Sequence, residues 1–225
     1  AVFIEPVAGS TGTLVPPEGY LQKVREICDK HGMLLVFDEV ITGFGRMGTP
    51  FATQKFDVKP DIITMAKAIT NGAIPMGGVA VTDEIYDTVV NSAPGNGIEF
   101  FHGYTYSAHP AACAAGIATQ KIYESDGLFE NAANLEGYFL DAVFSLRDHP
   151  MVADIRGIGM MAGVEVHPEG APGARGGEMQ KAMFWNGLHV KWTGDNAIIA
   201  PAFIAERKHV DEIIDKFRST LDQMM

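Results

Sequence analysis

Two cysteines in 225 residues are too few for a disulfide framework. Cys28 and Cys113 both fall in segments with amphipathic helical spacing, so they read as buried thiols rather than a bridge. That usage fits a reducing compartment, and a cytoplasmic location is the expectation. Basic residues are also scarce, with 17 Lys and Arg against 28 Asp and Glu, for a formal net charge of −11. Neutralising phosphates takes clustered Lys and Arg, which no stretch of this chain provides, so neither nucleic acid nor an acidic membrane surface is an expected partner. No apolar run approaches the roughly 20 residues that span a bilayer, and the first residues lack the basic flank of a signal peptide. Internal repeats and low-complexity tracts are missing. His102 and His109 have no Cys or carboxylate cluster at ligand spacing, so no metal site is expected.

The chain does have material for a sizeable core, at 47% hydrophobic residues. Apolar runs alternate with helical patterns. Val2-Phe3-Ile4 reads as a strand, and a helix is expected after Pro16-Pro17, with Leu21, Val24 and Ile27 at helical spacing and Gly32 ending it. Strands are expected at Met33 to Val40, Ile62 to Met65 and Gly77 to Val81, with a long loop over residues 41 to 60 and Asp83 capping the next helix. Strand, helix and strand in this order predict a right-handed parallel crossover. Further helices are expected from His109-Pro110 and from Leu128 to Leu146. Beyond Pro150 the pattern changes to Gly-interrupted strands at Ile155 to Val166 and His189 to Trp192, with a flexible stretch from Pro168 to Gly177. A terminal helix, Glu206 to Gln223, has Val210, Ile213, Ile214 and Phe217 on one face. The fold class is α/β, with a larger domain over 1–150 and a small α+β domain over 151–225.

Two residues dominate the functional reading. Asp38 ends the apolar run Leu34-Leu35-Val36-Phe37, and Lys67 stands just beyond Ile62-Ile63-Thr64-Met65. Each sits where a buried strand hands over to a loop, the end at which open α/β sheets bind ligands. An Asp at a strand end serves turns and caps as well as catalysis, and most lysines are surface residues. Here, however, a carboxylate after four apolar residues needs a partner, because burying it unpaired is costly. A pyridoxal phosphate enzyme supplies one: its lysine bonds the aldehyde and its carboxylate pairs with the pyridinium nitrogen. An enclosed Lys67 would have its ammonium form disfavoured by desolvation, and the neutral amine is the nucleophile. Val40, two residues after Asp38 and hence on the same strand face, would pack against the flat ring or simply fill the core.

The words Phe37-Asp38-Glu39-Val40-Ile41-Thr42-Gly43-Phe44-Gly45-Arg46-Met47-Gly48 and Pro60-Asp61-Ile62-Ile63-Thr64-Met65-Ala66-Lys67-Ala68-Ile69 closely resemble those of the class III aminotransferases. Asn71 to Gly78 and His102-Gly103-Tyr104-Thr105-Tyr106-Ser107-Ala108-His109-Pro110 match as well. The resemblance covers the whole chain but only the C-terminal half of such a protein, which accounts for a sequence that opens on an interior strand without Met. It implies a fold-type I architecture, in which a mainly parallel sheet has helices on both faces and a small C-terminal domain follows. It also implies pyridoxal 5′-phosphate as cofactor, with Asp38, Val40, Lys67 and Thr105 binding it. Lys67 would carry the proton between the donor carbon and the cofactor. Thr105 would reach the phosphate held by a neighbouring subunit of a homodimer; on its residues alone, a hydroxyl before a helix reads first as an ST-turn or cap.

Gly43 to Gly48 satisfies the dinucleotide-binding pattern G-x-G-x-x-G, but that fingerprint must open a helix and Thr49-Pro50 follows. These glycines read instead as turns near the cofactor. Lys191 stands in a stretch where omega-amino-acid:pyruvate aminotransferases often carry a carboxylate-binding Arg. It offers a point charge in place of a planar fork, so carboxylate recognition is weaker or falls to another residue, and Lys191 reads equally as an exposed strand residue. The expected activity is amino transfer from an omega-amino acid or amine to pyruvate. Acetylornithine and 4-aminobutyrate aminotransferases, glutamate-1-semialdehyde aminomutases, and a silent C-terminal fragment are the alternatives.

Overall fold

The computed structural model describes residues 1–225 and contains two four-stranded sheets. The first has the order β1 (Val2–Ile4), β2 (Leu35–Asp38), β3 (Ile62–Met65) and β4 (Gly78–Val81). The β1/β2 and β2/β3 pairs are parallel and β3/β4 is antiparallel, so the sheet is mainly parallel as the alternation of elements implies. Helix α1 (Tyr20–His31) makes the crossover from β1 to β2, burying Leu21 and Cys28 against Leu35 and Phe37. Asp61 pins this layer, accepting from the Leu35 N–H at 2.7 Å and from the Arg25 guanidinium at 2.8 Å. Burial pushes the Asp61 carboxyl up, but these two donors outweigh it and hold its pKa below the usual range.

Helices α2 (Ala52–Phe56), α3 (Asp83–Asn91) and α4 (Pro110–Ser125) complete the first part. The second sheet is antiparallel throughout, built from β5 (Val152–Ile158), β6 (Met161–Val166), β7 (Lys191–Thr193) and β8 (Asn196–Ile199) in the order β5-β6-β8-β7. Helices α5 (Leu128–Phe144), α6 (Ala174–Trp185) and α7 (Arg207–Gln223) cover it. Phe139, Phe217, Met179, Met183 and Leu221 are fully buried there, in the largest core of the molecule. Val210, Ile214 and Phe217 are buried on α7 with Ile213 packed beside them, the face that its spacing predicts. Packing thus joins α5 to the second sheet, although α5 precedes residue 150 in sequence.

Several elements differ from their sequence patterns, each for a local reason. Pro16-Pro17 does not start α1, which begins at Tyr20 after Gly19 in the left-handed region. Asp83 is the first residue of α3 and Thr82 its cap position. Cys113 is only half-buried and Cys28 fully so; both are free. Strand β2 stops at Asp38, so Val40 is not on it. Residues 41–60 are not all loop, because α2 forms there despite weak amphipathicity. Its initial N–H groups are taken up by a carboxylate, as described below. Helix α6 falls largely outside the expected pattern, since Gly176 and Gly177 interrupt its periodicity. A Cβ at Gly176 would lie 1.9 Å from the Gly194 carbonyl oxygen, so only glycine lets α6 approach the β7–β8 turn. Asp195 in that turn accepts from the Gly173 and Gly176 N–H groups at 3.1 and 2.9 Å, capping α6.

The two sheets are joined through the tight turn between β5 and β6. The Met160 N–H donates to the Arg46 carbonyl at 2.9 Å, and the Gly159 N–H to Glu136 Oε1 at 2.8 Å. Arg156 on β5 donates from Nε to the Gly12 carbonyl at 3.1 Å.

Candidate active site

Asp38 and Lys67 emerge at the carboxyl ends of neighbouring parallel strands. Asp38 pairs in register with Thr64, and β3 ends at Met65 just before the turn that carries Lys67. Asp38 is half-buried, and its Oδ1 accepts the Val40 N–H at 3.0 Å. No cation in the chain pairs with it, and its second oxygen has no hydrogen bond. Lys67 begins a short 3₁₀ turn, Lys67–Ile69, at φ 46°, a left-handed conformation that a lysine seldom adopts. Its carbonyl accepts from the Thr70 and Gly72 N–H groups at 3.3 and 3.2 Å. From α4, the Tyr123 hydroxyl donates to the Ala68 carbonyl at 2.8 Å and Gln120 Nε2 to Ile69 at 3.3 Å, so the turn is braced from behind. Burial raises the Tyr123 pKa, against the opposing effect of nearby Arg46, which keeps this phenol protonated as a donor.

The Lys67 side chain is exposed and has no ionic or hydrogen-bond partner, contrary to the expectation of an enclosed amine. The strand-mouth position explains this: β3 ends in a turn that faces a cavity open on one side. The cavity, of about 650 Å³, draws its wall from loops that follow strands of the first sheet and from strands of the second. Val40 and Ile41 line it along with Lys67, so Val40 borders the site from the loop beyond β2 rather than from the strand face. Lys191, on β7, lines it too; it is exposed and donates to Ser10 Oγ at 3.2 Å. Asp38 is not among the wall residues, although its strand end adjoins them.

Sequence reasoning passed over two charged residues. Glu39 is fully buried, and its carboxylate accepts the Ala52 and Thr53 N–H groups at 2.8 and 3.0 Å and the Thr42 and Thr53 hydroxyls at 2.7 and 3.2 Å. It therefore caps α2 and folds the 40–53 loop back onto β2. The signal was there, because the rule that a carboxylate after an apolar run needs partners applies to Glu39 as much as to Asp38. Arg46 is the single charge between Val40 and Gln54. Its Nη1 donates to the Met160 and Pro201 carbonyls, both at 2.8 Å, and its guanidinium lies 4.5 Å from the Phe203 ring centre. Gly45 beside it has φ 101°, and a Cβ there would fall 2.4 Å from the Phe129 ring. The glycines of Gly43 to Gly48 thus serve close packing against Phe129 and Phe203, and no helix opens on them.

Thr105 is elsewhere. It is exposed and lines a second cavity of about 610 Å³ with Met76, His102, Tyr104 and Cys113, none of which borders the Lys67 cavity.

A mainly parallel sheet that presents a lysine and an aspartate without counter-ions at the carboxyl ends of its strands, joined to a small antiparallel unit, is the architecture of the fold-type I transaminases. The chain shares it with an (S)-enantioselective omega-transaminase from Thermomicrobium roseum, with TM-score 0.93, 38% identity, all of this chain covered and 51% of that one. Residues 1–221 match the aminotransferase class-III family, and the chain belongs to it. An omega-aminotransferase of Caulobacter vibrioides is 53% identical over all of this chain and 51% of its own length. A beta-alanine–pyruvate aminotransferase of Pseudomonas aeruginosa is 45% identical over 99% of this chain and 50% of its own. The chain spans about half the length of these curated relatives.

Proposed function

We propose that this chain contributes the lysine and the ring-pairing carboxylate to a pyridoxal phosphate-dependent aminotransferase that moves an amino group from an omega-amino acid or amine to pyruvate. The observation that carries the reading is the pair Asp38 and Lys67: two charges without a counter-ion in the protein at adjacent strand ends. A half-buried carboxylate left unpaired is costly, and a protonated ring nitrogen answers that cost. The names of the relatives support the choice of donor class and acceptor.

When bound, pyridoxal phosphate supplies an electron sink for charge developing on the donor carbon. Asp38 would keep the ring nitrogen protonated, with its Val40 N–H contact fixing the carboxylate. Lys67 would anchor the aldehyde carbon and then, as a free amine, carry the proton taken from the amine-bearing carbon of the donor. Val40 would limit the room around the ring, and Lys191 would attract the substrate carboxylate at the rim. No helix is long and apolar enough to cross a membrane. A cytoplasmic location and the absence of nucleic-acid and membrane partners rest on composition and remain part of the proposal.

The test is direct. The full-length protein, given pyridoxal phosphate, 3-aminopropanoate and pyruvate, is expected to form alanine with parallel initial-rate lines, the mark of a ping-pong cycle. A protein that bound the cofactor but used only 2-oxoglutarate as acceptor would remove the pyruvate assignment.

The separation of Thr105 from the Lys67 cavity supports a homodimer in which Thr105 serves the partner's cofactor phosphate. Thr105→Ala is then expected to weaken cofactor retention by about 1.5–3 kcal/mol, the scale of a charge-assisted hydrogen bond. Mixing Lys67→Ala subunits with Thr105→Ala subunits should restore one intact site per heterodimer. If subunit exchange is proven and cofactor affinity stays at the level of the parents, Thr105 acts within its own subunit or not at all.

A further inference from the structure

The charge on the Lys67 cavity wall is one-sided. Arg46, Lys67 and Lys191 contribute to it, and no Asp or Glu does. Under the function proposed above, Lys67 is committed to the cofactor, while Lys191 sits at the exposed rim with its ammonium on Ser10. Arg46 is placed differently. Its two carbonyl contacts both fall on Nη1, and Phe203 takes one face of the guanidinium. Nε and Nη2 make no hydrogen bond in the protein, both keep some accessible surface, and Arg46 lines the cavity. These two N–H groups form one edge of the planar fork, the edge that binds a carboxylate with two parallel hydrogen bonds. Arg25, Arg156 and Arg175 each meet a carboxylate within the chain, whereas Arg46 meets none.

We infer that Arg46 is a specificity-determining residue that grips the acid group of the amino donor through Nε and Nη2, giving acid-bearing amines an advantage over neutral ones. The inference rests on the function proposed above and adds to it the residue that selects the donor. Desolvation among the β5–β6 turn and Phe203 pulls the Arg46 pKa down to about 10, so the side chain stays charged at neutral pH but lacks a counter-ion. Its mooring by Nη1 and the Phe203 ring holds the free edge in one orientation before substrate arrives, which reduces the entropy lost on binding.

The experiment follows the donor half-reaction alone in the full-length holoenzyme, by the loss of the cofactor's visible absorbance, with 3-aminopropanoate and butylamine as donors. Arg46→Gln is expected to raise the half-saturating concentration of 3-aminopropanoate about 10-fold or more, and that of butylamine by less than about 3-fold. Arg46→Lys should fall between, since a point charge lacks the fork. Equal losses with both donors would show that Arg46 only ties the loop to the second unit and would overturn the inference, as would an unchanged ratio. If Arg46→Gln does not fold, Arg46→Lys decides the matter by whether it shifts the donor ratio by about 3-fold or leaves it unmoved. If the unaltered enzyme converts neither donor, the proposed function fails, and calorimetric titration with propanoate still judges Arg46. Binding about 10-fold weaker in the variant supports the carboxylate contact, and equal binding overturns it.

Discussion

In the Lys67→Ala protein, the proposed amino transfer to pyruvate is expected to fall roughly 100- to 10,000-fold, the scale of a lost proton-transfer group, while thermal stability should hardly change. The structure predicts both halves of that result. The Lys67 side chain makes no hydrogen bond or ion pair and is exposed, so truncating it removes no packing and frees no buried partner. Alanine also keeps the same left-handed backbone cost at φ 46°, so the turn has no reason to move. Only chemistry is lost. The amine should be identified directly by borohydride reduction of the holoprotein and peptide mapping. The cavity offers one other primary amine, Lys191, and a pyridoxyl group found there would overturn the assignment.

Asp38→Asn should preserve the fold and cost roughly 100- to 1,000-fold in turnover, comparable with removing one preorganised electrostatic partner. The amide oxygen of asparagine still accepts the Val40 N–H that Asp38 Oδ1 accepts at 3.0 Å, so the strand end and its loop keep their anchor. What disappears is the negative charge that would hold a proton on the ring nitrogen. Measured on a properly folded variant with saturating cofactor, near-normal turnover would mean that the carboxylate merely caps the turn after β2.

The parts of the site legible in the sequence are those set by local rules. Asp38 and Lys67 stand out because burial patterns at β2 and β3 make a charge conspicuous at their ends, and those strands pair in parallel as the order of elements suggests. The rejection of the glycine pattern also follows locally, since Thr49-Pro50 intervenes between Gly48 and the next helix, which starts at Ala52. Less legible was what depends on distant partners. Helix α2 owes its start to Glu39 thirteen residues earlier. Helix α6 owes its glycines to the Gly194 carbonyl, and the role of Arg46 depends on Pro201, far away in sequence. The exposure of Lys67 likewise depends on which walls surround the cavity, a property that no run of residues encodes.

The hydrogen bonds that tie the second sheet to the loops of the first have one more consequence. Arg46 meets Pro201 across 155 positions, Arg156 meets Gly12 across 144, and Lys191 meets Ser10 across 181. Contacts that bridge such long intervals cost the most chain entropy to close and accumulate slowly. Each sheet can assemble from nearer neighbours, but the pocket between them exists only once they have docked. On the ribosome, residues near Ser10 and Arg46 are made long before their counterparts at Lys191 and Pro201. The proposed cofactor would therefore find a complete pocket only after Lys191 and Pro201 have been made and docked, so its binding is expected to follow assembly of this region rather than to guide it.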